Sequence, residues 1–168
     1  MPSEQNDPAS RVPPMDSAEG EVIMTELVLP SHTNALGTIF GGVVMSWIDI
    51  AGAISAQRFC RKQVVTASID DMAFVAVIKL GWVVHIRAKV NYTAKTSMEI
   101  GVRVDAEDPK TGVKHHTASA YLTFVAIDEN GKPIPVPKFL PKSADEKRRH
   151  LAAVKRREIR LERRKKTN

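Results

Sequence analysis

The chain has 168 residues, of which 43% are hydrophobic and 26% are charged. This length favours a single domain, and this composition excludes collagen-like, disordered and disulfide-rich classes of protein. The formal net charge of +6 is uneven, because residues 142–168 carry +8 and the other residues carry −2. The basic character therefore belongs to the C-terminal tail.

Cysteine usage and hydropathy favour a cytoplasmic protein. Cys60 is the single cysteine, so no intrachain disulfide and no thiolate metal cluster can form. The longest apolar stretch, residues 43–56, is interrupted by Asp49 and is shorter than the roughly 20 residues that span a bilayer. The N-terminus has no basic segment followed by an apolar run, so we expect neither a signal peptide nor a membrane span.

The predicted elements begin after an N-terminal arm. Residues 1–19 contain four prolines among polar side chains and are expected to be disordered. Residues 21–29 predict a strand that ends at a proline. Residues 41–59 contain no proline and are apolar around the whole helical circumference, which predicts a buried helix.

Four further segments are rich in Val, Ile and Thr, and we predict them to be strands. They are residues 64–69, 82–92, 97–106 and 114–127. Apolar and polar side chains alternate along residues 82–92, as they do in a strand with one covered face. One apolar helix among five strands predicts an α+β fold, in which an antiparallel sheet wraps around the helix at residues 20–141.

The basic tail at residues 142–168 leaves two structures open. Three apolar residues at helical spacing favour a helix with a narrow apolar seam, whereas the charge density favours a solvated segment. A polybasic segment can bind nucleic acid or anionic lipid. This tail has no aromatic residue for stacking on bases, so we expect no nucleic-acid partner and favour a solvated or subunit-contacting tail.

Asp49 is the candidate catalytic carboxylate. Within the predicted helix its neighbours three and four positions away are small or apolar: Met45, Ser46, Gly52 and Ala53. A carboxylate in such surroundings needs a partner or a water-filled cleft, and small neighbours let a ligand approach. The alternative is a position on an exposed strip of the helix.

The loop before the helix provides a second signal. Asn34 lies in this loop, and Gly41 and Gly42 begin the helix, where the first backbone N–H groups lack intrahelical partners. Such N–H groups stabilise an anion or the oxygen of a polarised carbonyl. A glycine-rich helix start is also a common structural feature, so the signal depends on Asp49 lying two turns further along the same helix.

Three segments carry a resemblance to a known family. HTNALGTIFGGVVMSWIDIAGAISAQR at residues 32–58, VVTASIDDMAF at 64–74 and KTSMEIGVRV at 95–104 resemble the signature of the hotdog-fold acyl-CoA thioesterases, which include YciA-like bacterial enzymes and the brain acyl-CoA hydrolases. The resemblance covers residues 21–137. It implies a helix wrapped by an antiparallel sheet, edge-to-edge homodimers, and trimers of such dimers.

The resemblance also implies roles for individual residues. Asn34 and Asp49 match the catalytic pair, contributed by opposite subunits. Lys95, Thr96 and Ser97 fall in a short loop near the nucleotide end of CoA, whose phosphates the basic tail could also meet. The substrate is then an acyl-CoA, with no metal and no cofactor. His32 and Thr38 depart from the family pattern, which leaves the acyl-chain preference open.

The mechanism expected from these residues is attack of water on the thioester carbonyl. Asp49 is the general base, Asn34 positions the water or the carbonyl, and backbone N–H groups near Gly41 and Gly42 hold the oxyanion. A nucleophilic role of Asp49 through an anhydride stays open. Other functions are a non-catalytic acyl-CoA-binding regulator, or a dehydratase that would need a catalytic histidine, for which His32 is the candidate.

The remaining chemically active or aromatic side chains have plainer interpretations. We expect Cys60 to be structural, and the histidines at 85, 115 and 116 to lie at the surface. Adjacent His115 and His116 point to opposite faces of a strand and cannot bind one metal as a pair. Phe40 and Phe74 could line an acyl channel, but we favour core positions.

Overall fold

A computed structural model describes residues 13–167, apart from the side chains of residues 164 and 167. Within that range the chain forms five strands and two helices. They are β1 (Val22–Leu27), α1 (Gly41–Cys60), β2 (Gln63–Phe74), β3 (Val83–Thr93), β4 (Ser97–Glu107), β5 (Lys114–Ile127) and α2 (Ala144–Thr167).

All five strands belong to one antiparallel sheet with the order β1-β3-β4-β5-β2. The side chains of β3, β4 and β5 that face α1 are fully buried, among them Ile86, Ile100, Leu122 and Phe124. The alternation predicted for residues 82–92 appears as buried Val84 and Ile86 beside exposed Arg87. The predicted α+β fold, an antiparallel sheet around one long helix, is confirmed.

Helix α1 is buried on one side only. Its sheet-facing side chains are buried, and Gly52 brings the helix so close to the sheet that an added Cβ would lie 2.9 Å from Phe124 Cε2. Met45 and Ile50 on the other side are exposed. The expectation of a helix buried all round is therefore wrong for a single chain, because one sheet covers one side of a helix. An apolar strip of α1 is left uncovered.

Strand β2 is longer and less regular than the predicted residues 64–69. Its register against β5 shifts between Thr66 and Ser68 and again between Ile69 and Asp71. Each shift is a β-bulge that leaves one residue of β2 without a partner and reverses which face the following side chains occupy. Asp70 is the residue without a cross-strand partner at the second bulge.

The basic tail forms helix α2, which lies on the sheet face opposite α1. The Arg156 guanidinium stacks on Tyr121 of β5 at 3.6 Å from the ring centroid and forms two hydrogen bonds with Glu99 of β4. His150 Nδ1 lies 3.2 Å from the backbone oxygen of Asn91 on β3. Of the two structures open for the tail, the helix forms because the sheet supplies its partners.

Part of the predicted N-terminal arm is ordered. Residues 1–12 lie outside the described residues. Met15 N–H donates to the Lys138 carbonyl at 3.1 Å, and Ser17 is buried in a short 3-10 turn at Ser17–Gly20. The ordered chain therefore starts before the predicted boundary at residue 20.

Neither helix could serve as a membrane span. Within residues 13–167, the structure contains no helix that combines the length and the apolar character needed to cross a bilayer. Helix α1 carries Asp49 at its middle, and α2 is densely charged.

Candidate active site

Asp49 lies at the middle of α1 at the edge of the uncovered strip. Its side chain is half-buried, and its Oδ1 accepts a hydrogen bond from Thr66 Oγ1 at 2.7 Å. Oδ2 accepts no hydrogen bond from any described residue. The carboxylate is thus oriented through one oxygen, while the other is available to water or substrate.

Thr66 is a candidate site residue that the sequence reasoning missed. A signal for it exists in the chain geometry. A tight turn with Arg61 in the left-handed conformation (φ 55°) reverses the chain after α1, so β2 runs back along the helix. Asp49 on the helix and Thr66 on the strand both lie on the order of 15 Å from that turn. A hydroxyl at this position therefore comes level with the carboxylate.

Asn34 organises the loop that precedes α1. Its Oδ1 accepts the backbone N–H groups of Leu36 at 2.9 Å and Thr38 at 3.2 Å, and its Nδ2 donates to Thr38 Oγ1 at 3.0 Å. Gly37 takes a positive φ of 72° to close the turn. Among the described residues no hydrogen bond joins Asn34 to Asp49, so one chain does not bring the predicted catalytic pair together.

The first turn of α1 presents free hydrogen-bond donors. The backbone N–H groups of Gly41 and Gly42 have no acceptor among the described residues, and no side chain caps the helix. Space is open around the position where Gly42 would carry a Cβ. This helix start can hold a partial negative charge. Gly41 lies about 12 Å from Asp49 along the same helix.

A mostly apolar cavity of about 180 Å³ adjoins these donors. Its lining includes Gly41, Val44, Phe74 and Val77. Phe40 and Phe74 are 52% and 48% exposed, so our preference for core positions was wrong. Phe74 instead supports the alternative of an acyl channel, since it forms one wall of the cavity beside the N–H groups.

The predicted CoA-binding residues lie at the opposite end of the sheet. Lys95 and Thr96 lie in the turn from β3 to β4 and Ser97 begins β4, and the backbone oxygens of Lys95 and Thr96 accept N–H groups at 3.0 Å. This turn is level with the C-terminus of α1, whereas Asn34 is level with its N-terminus. A helix of 20 residues is about 30 Å long, so the two groups cannot meet within one chain.

The other reactive side chains have structural partners. Cys60 is buried, and burial raises the pKa of its thiol, as expected for an unreactive cysteine. His85 Nε2 lies 2.7 Å from Glu107 Oε2, and this hydrogen bond is the largest effect holding the pKa of Glu107 below its ordinary value. Residues 13–167 contain no group of three or more His, Cys, Asp or Glu side chains placed to hold a metal ion.

Comparisons with known proteins agree with the resemblance. The family model of the thioesterase superfamily matches residues 36–113. A Bacillus subtilis protein named as an uncharacterized acyl-CoA thioester hydrolase is 42% identical over 138 residues, which cover 82% of this chain and 80% of the relative. The chain belongs to the acyl-CoA thioester hydrolases. A cytosolic acyl coenzyme A thioester hydrolase of Rattus norvegicus is 40% identical over 129 residues, 75% of this chain and 34% of that protein.

Solved acyl-CoA thioesterases share the whole fold. An apo hexameric acyl-CoA thioesterase is 41% identical with a TM-score of 0.87, over 90% of this chain and 97% of that one. The acyl-CoA hydrolase of Staphylococcus aureus, solved with butyryl coenzyme A, coenzyme A and coenzyme A disulfide, is 37% identical with a TM-score of 0.86, over 92% and 94%. The predicted hotdog fold is confirmed.

The Staphylococcus aureus hydrolase has also been solved as three alanine variants. They replace an asparagine, an aspartate 15 positions after it, and a threonine 17 positions after the aspartate. Asn34, Asp49 and Thr66 have the same spacing in this acyl-CoA thioester hydrolase.

Proposed function

We propose that this protein hydrolyses acyl-CoA thioesters with Asp49 as the group that activates water. The observation that carries this proposal is the 2.7 Å hydrogen bond from Thr66 to Asp49, which orients a half-buried carboxylate on the uncovered strip of α1. The relatives named as acyl-CoA hydrolases support the reaction class. They give no comparable support to a non-catalytic acyl-CoA-binding regulator.

The proposed reaction is attack of water on the thioester, with Asp49 carrying the proton from the water to the CoA thiolate. Water attacks the thioester carbonyl carbon and gives its proton to Asp49 Oδ2, while backbone N–H groups at a glycine-rich helix start stabilise the oxyanion. The tetrahedral intermediate collapses with cleavage of the carbon–sulfur bond. The CoA thiolate takes the proton from Asp49, and the fatty acid leaves. A nucleophilic route through Asp49 is the alternative.

The proposed site is shared by two subunits. Within residues 13–167 of one chain the outer edge of β2 pairs with no strand, and Val65 and Ile69 are exposed along it. Antiparallel pairing of two β2 edges sets the C-terminal end of one strand beside the N-terminal end of the other. Asn34, Gly41 and Gly42 of the partner subunit then approach Asp49, Thr66 and the Lys95–Ser97 turn, which are otherwise too far from them.

Assembly, cofactor use and location complete the proposal. We infer trimers of such dimers, supported by the hexameric state of a solved relative. The turn at Lys95, Thr96 and Ser97 serves the nucleotide end of CoA, and the reaction needs no cofactor because water is the second substrate. A cytoplasmic location is supported by the name of the rat relative.

The test is hydrolysis of a panel of acyl-CoAs of increasing chain length, followed by release of free thiol. General-base assistance is worth about 10²- to 10⁴-fold in rate, so Asp49→Asn should lower kcat at least about 100-fold with the fold intact. Asp108→Asn, in the β4–β5 turn, is the matched control. Retained activity in Asp49→Asn removes this carboxylate from the mechanism, and binding of acyl-CoA without thiol release by the wild type supports the regulator instead.

A further inference from the structure

The Asp70 carboxylate holds the bulged segment of β2 together. It accepts hydrogen bonds from Ser68 Oγ at 3.0 Å and Thr123 Oγ1 at 3.1 Å, and it forms an ion pair with Arg160 of α2. The side chains of Asp70 and Arg160 are 11% and 16% exposed. A largely buried ion pair therefore connects the C-terminal helix to the irregular part of an edge strand.

The bulged segment begins directly after Thr66. Thr66 pairs with Phe124, whose side chain is buried towards α1, whereas Ser68 pairs with Thr123, whose hydroxyl lies on the α2 side. In an unbroken strand residues 66, 68 and 70 would share one face of the sheet. The bulge instead lets Thr66 face Asp49 on α1 while Asp70 faces Arg160 on α2.

Arg160 is required for this arrangement because of the burial of its partner. Removing one member of a largely buried ion pair leaves an uncompensated charge that must regain water. Asp70 borders an open groove beside Arg160, and we expect the bulged segment that carries it to shift as the unpaired carboxylate turns towards water there. Since Thr66 is the residue next to the bulge, such a movement changes the direction of the hydroxyl that orients Asp49.

We propose that Arg160 and Asp70 are positioning residues of the hydrolase. Their ion pair holds the bulges of β2, and the bulges hold the Thr66 hydroxyl on Asp49. This inference rests on the proposed roles of Asp49 and Thr66. It assigns the basic C-terminal helix a function at the active site, exerted through the sheet from the face opposite the substrate.

The chain contains a matched control for this proposal. Arg156 lies one turn before Arg160 on the same helix and forms hydrogen bonds of 3.1 and 2.6 Å with Glu99, which is as buried as Asp70 or more so. Glu99 lies on the central strand β4, and its own hydrogen bonds join Asn91 and Arg156 rather than the bulged segment. Arg156→Met therefore breaks an equivalent ion pair of α2 and leaves the hydrogen bonds and the ion pair of Asp70 in place.

The experiment compares Arg160→Met with Arg156→Met in the full-length protein. We expect both to lower the melting temperature, and only Arg160→Met to lower kcat about tenfold, with KM changed by less than about twofold, because a hydrogen bond to a charged group contributes at that level. In the Thr66→Val variant, adding Arg160→Met should lower kcat by less than about a further twofold. The effects of two residues that act through one another are non-additive. Arg160→Lys retains the charge and should recover part of kcat.

Several outcomes overturn the proposal. They are equal kcat losses in Arg160→Met and Arg156→Met, kcat losses of Arg160→Met and Thr66→Val that multiply, or, where Arg160→Met does not fold, a folded Asp70→Asn enzyme with wild-type kcat. Asp49→Asn is measured in parallel. If that variant is active, the proposed catalytic carboxylate is wrong; if it is inactive while the other losses multiply, only the positioning role fails.

Discussion

Among the residues that the structure describes, Thr66 is the one whose side chain donates a hydrogen bond to Asp49. A hydrogen bond to a charged group contributes about 1.5–3 kcal/mol, so Thr66→Val, which keeps the shape of the side chain, should lower kcat by about 10- to 100-fold. Steady-state kinetics with an acyl-CoA that the wild type hydrolyses measures this decrease in kcat. Thr25→Val on the exposed side of β1 is the control. A Thr66→Val enzyme with full activity contradicts an orienting role of the hydroxyl.

Gly52 permits the close contact of α1 with the sheet. Alanine is the better helix former by about 1 kcal/mol, yet its Cβ would lie 2.9 Å from the ring of Phe124, which is fully buried and cannot swing away. We expect Gly52→Ala to destabilise the protein by about 1–3 kcal/mol. Urea unfolding measures the change. In a Phe124→Leu protein, Gly52→Ala should lower the free energy of unfolding by less. An equal decrease with and without Phe124→Leu contradicts the steric explanation.

At the scale of residues the sequence points to Asp49 as a candidate and does not point to Thr66. An acidic residue inside an apolar helix violates the pattern around it, so it is visible without a structure. A threonine in a strand conforms to its pattern, and its role comes only from the chain reversal and the bulge that turn it towards the helix. Phe74 was misjudged because an aromatic residue on an edge strand has the same sequence pattern whether it is covered or open.

Helix α2 begins with a capping box, an element-scale feature that explains where the helix starts. Ser143 Oγ accepts the Glu146 N–H at 3.1 Å, and Glu146 accepts the N–H groups of Lys142 and Ser143 at 2.7 and 3.0 Å. A hydrogen bond from Ser17, followed by that from the Ser143 N–H, holds the pKa of Glu146 below its ordinary value of 4.5. The N-terminal segment and the tail are thereby joined.

This cap predicts a pH-dependent stability. Because the pKa of Glu146 is lowered in the folded protein, its contribution is complete above the unfolded pKa of about 4.5 and is lost as the pH falls through the folded value. Glu146→Gln should therefore lower the melting temperature at neutral pH, and the difference from the wild type should shrink below about pH 4.5. Thermal melts across this range measure it, with Glu158→Gln as the control. A difference that is constant with pH excludes the carboxylate as the cause.

Helices and strands that depend on a local residue pattern were predicted more accurately than those that depend on distant partners. Strands β3, β4 and β5 keep a two-residue period and were placed within about one residue of their ends. Strand β2 was cut short because its bulges break that period. The tail stayed ambiguous because the ion pairs of Arg156 and Arg160 with buried carboxylates stabilise α2, and a single sequence does not show which distant strand supplies a partner.

Pairing of two β2 edges makes a prediction for the whole molecule. Val65→Lys places a charge on this edge and should lower the oligomer mass and the activity together, because the proposed site needs a partner subunit. Ile23→Lys on β1, at the other edge of the sheet, is the matched control. Sedimentation velocity and kcat are measured on the same samples. A monomeric Val65→Lys protein with wild-type activity would falsify the shared site.

Subunit mixing tests the same arrangement without disrupting it. A dimer of one Asp49→Asn chain and one Asn34→Ala chain has both defects in one site and neither in the other. Random co-assembly of these two inactive variants should therefore recover about a quarter of wild-type activity. No recovery would place Asn34 and Asp49 in the same chain's site. The expectation of this pairing comes from the family resemblance, because the residue pattern of one chain does not show which residues meet across two chains.

The strand order also affects how the chain folds while it is being synthesised. Strands β1 and β2, made early, are the outermost of the sheet, and each pairs only with a strand made later: β1 with β3, and β2 with β5. During synthesis on the ribosome, β2 therefore has no strand to pair with until β5 (residues 114–127) emerges. Until then its apolar edge is exposed in the nascent chain. Non-local pairing of this kind slows folding and exposes strand edges. Chaperone capture of nascent chains should accordingly peak between completion of β2 and release of β5.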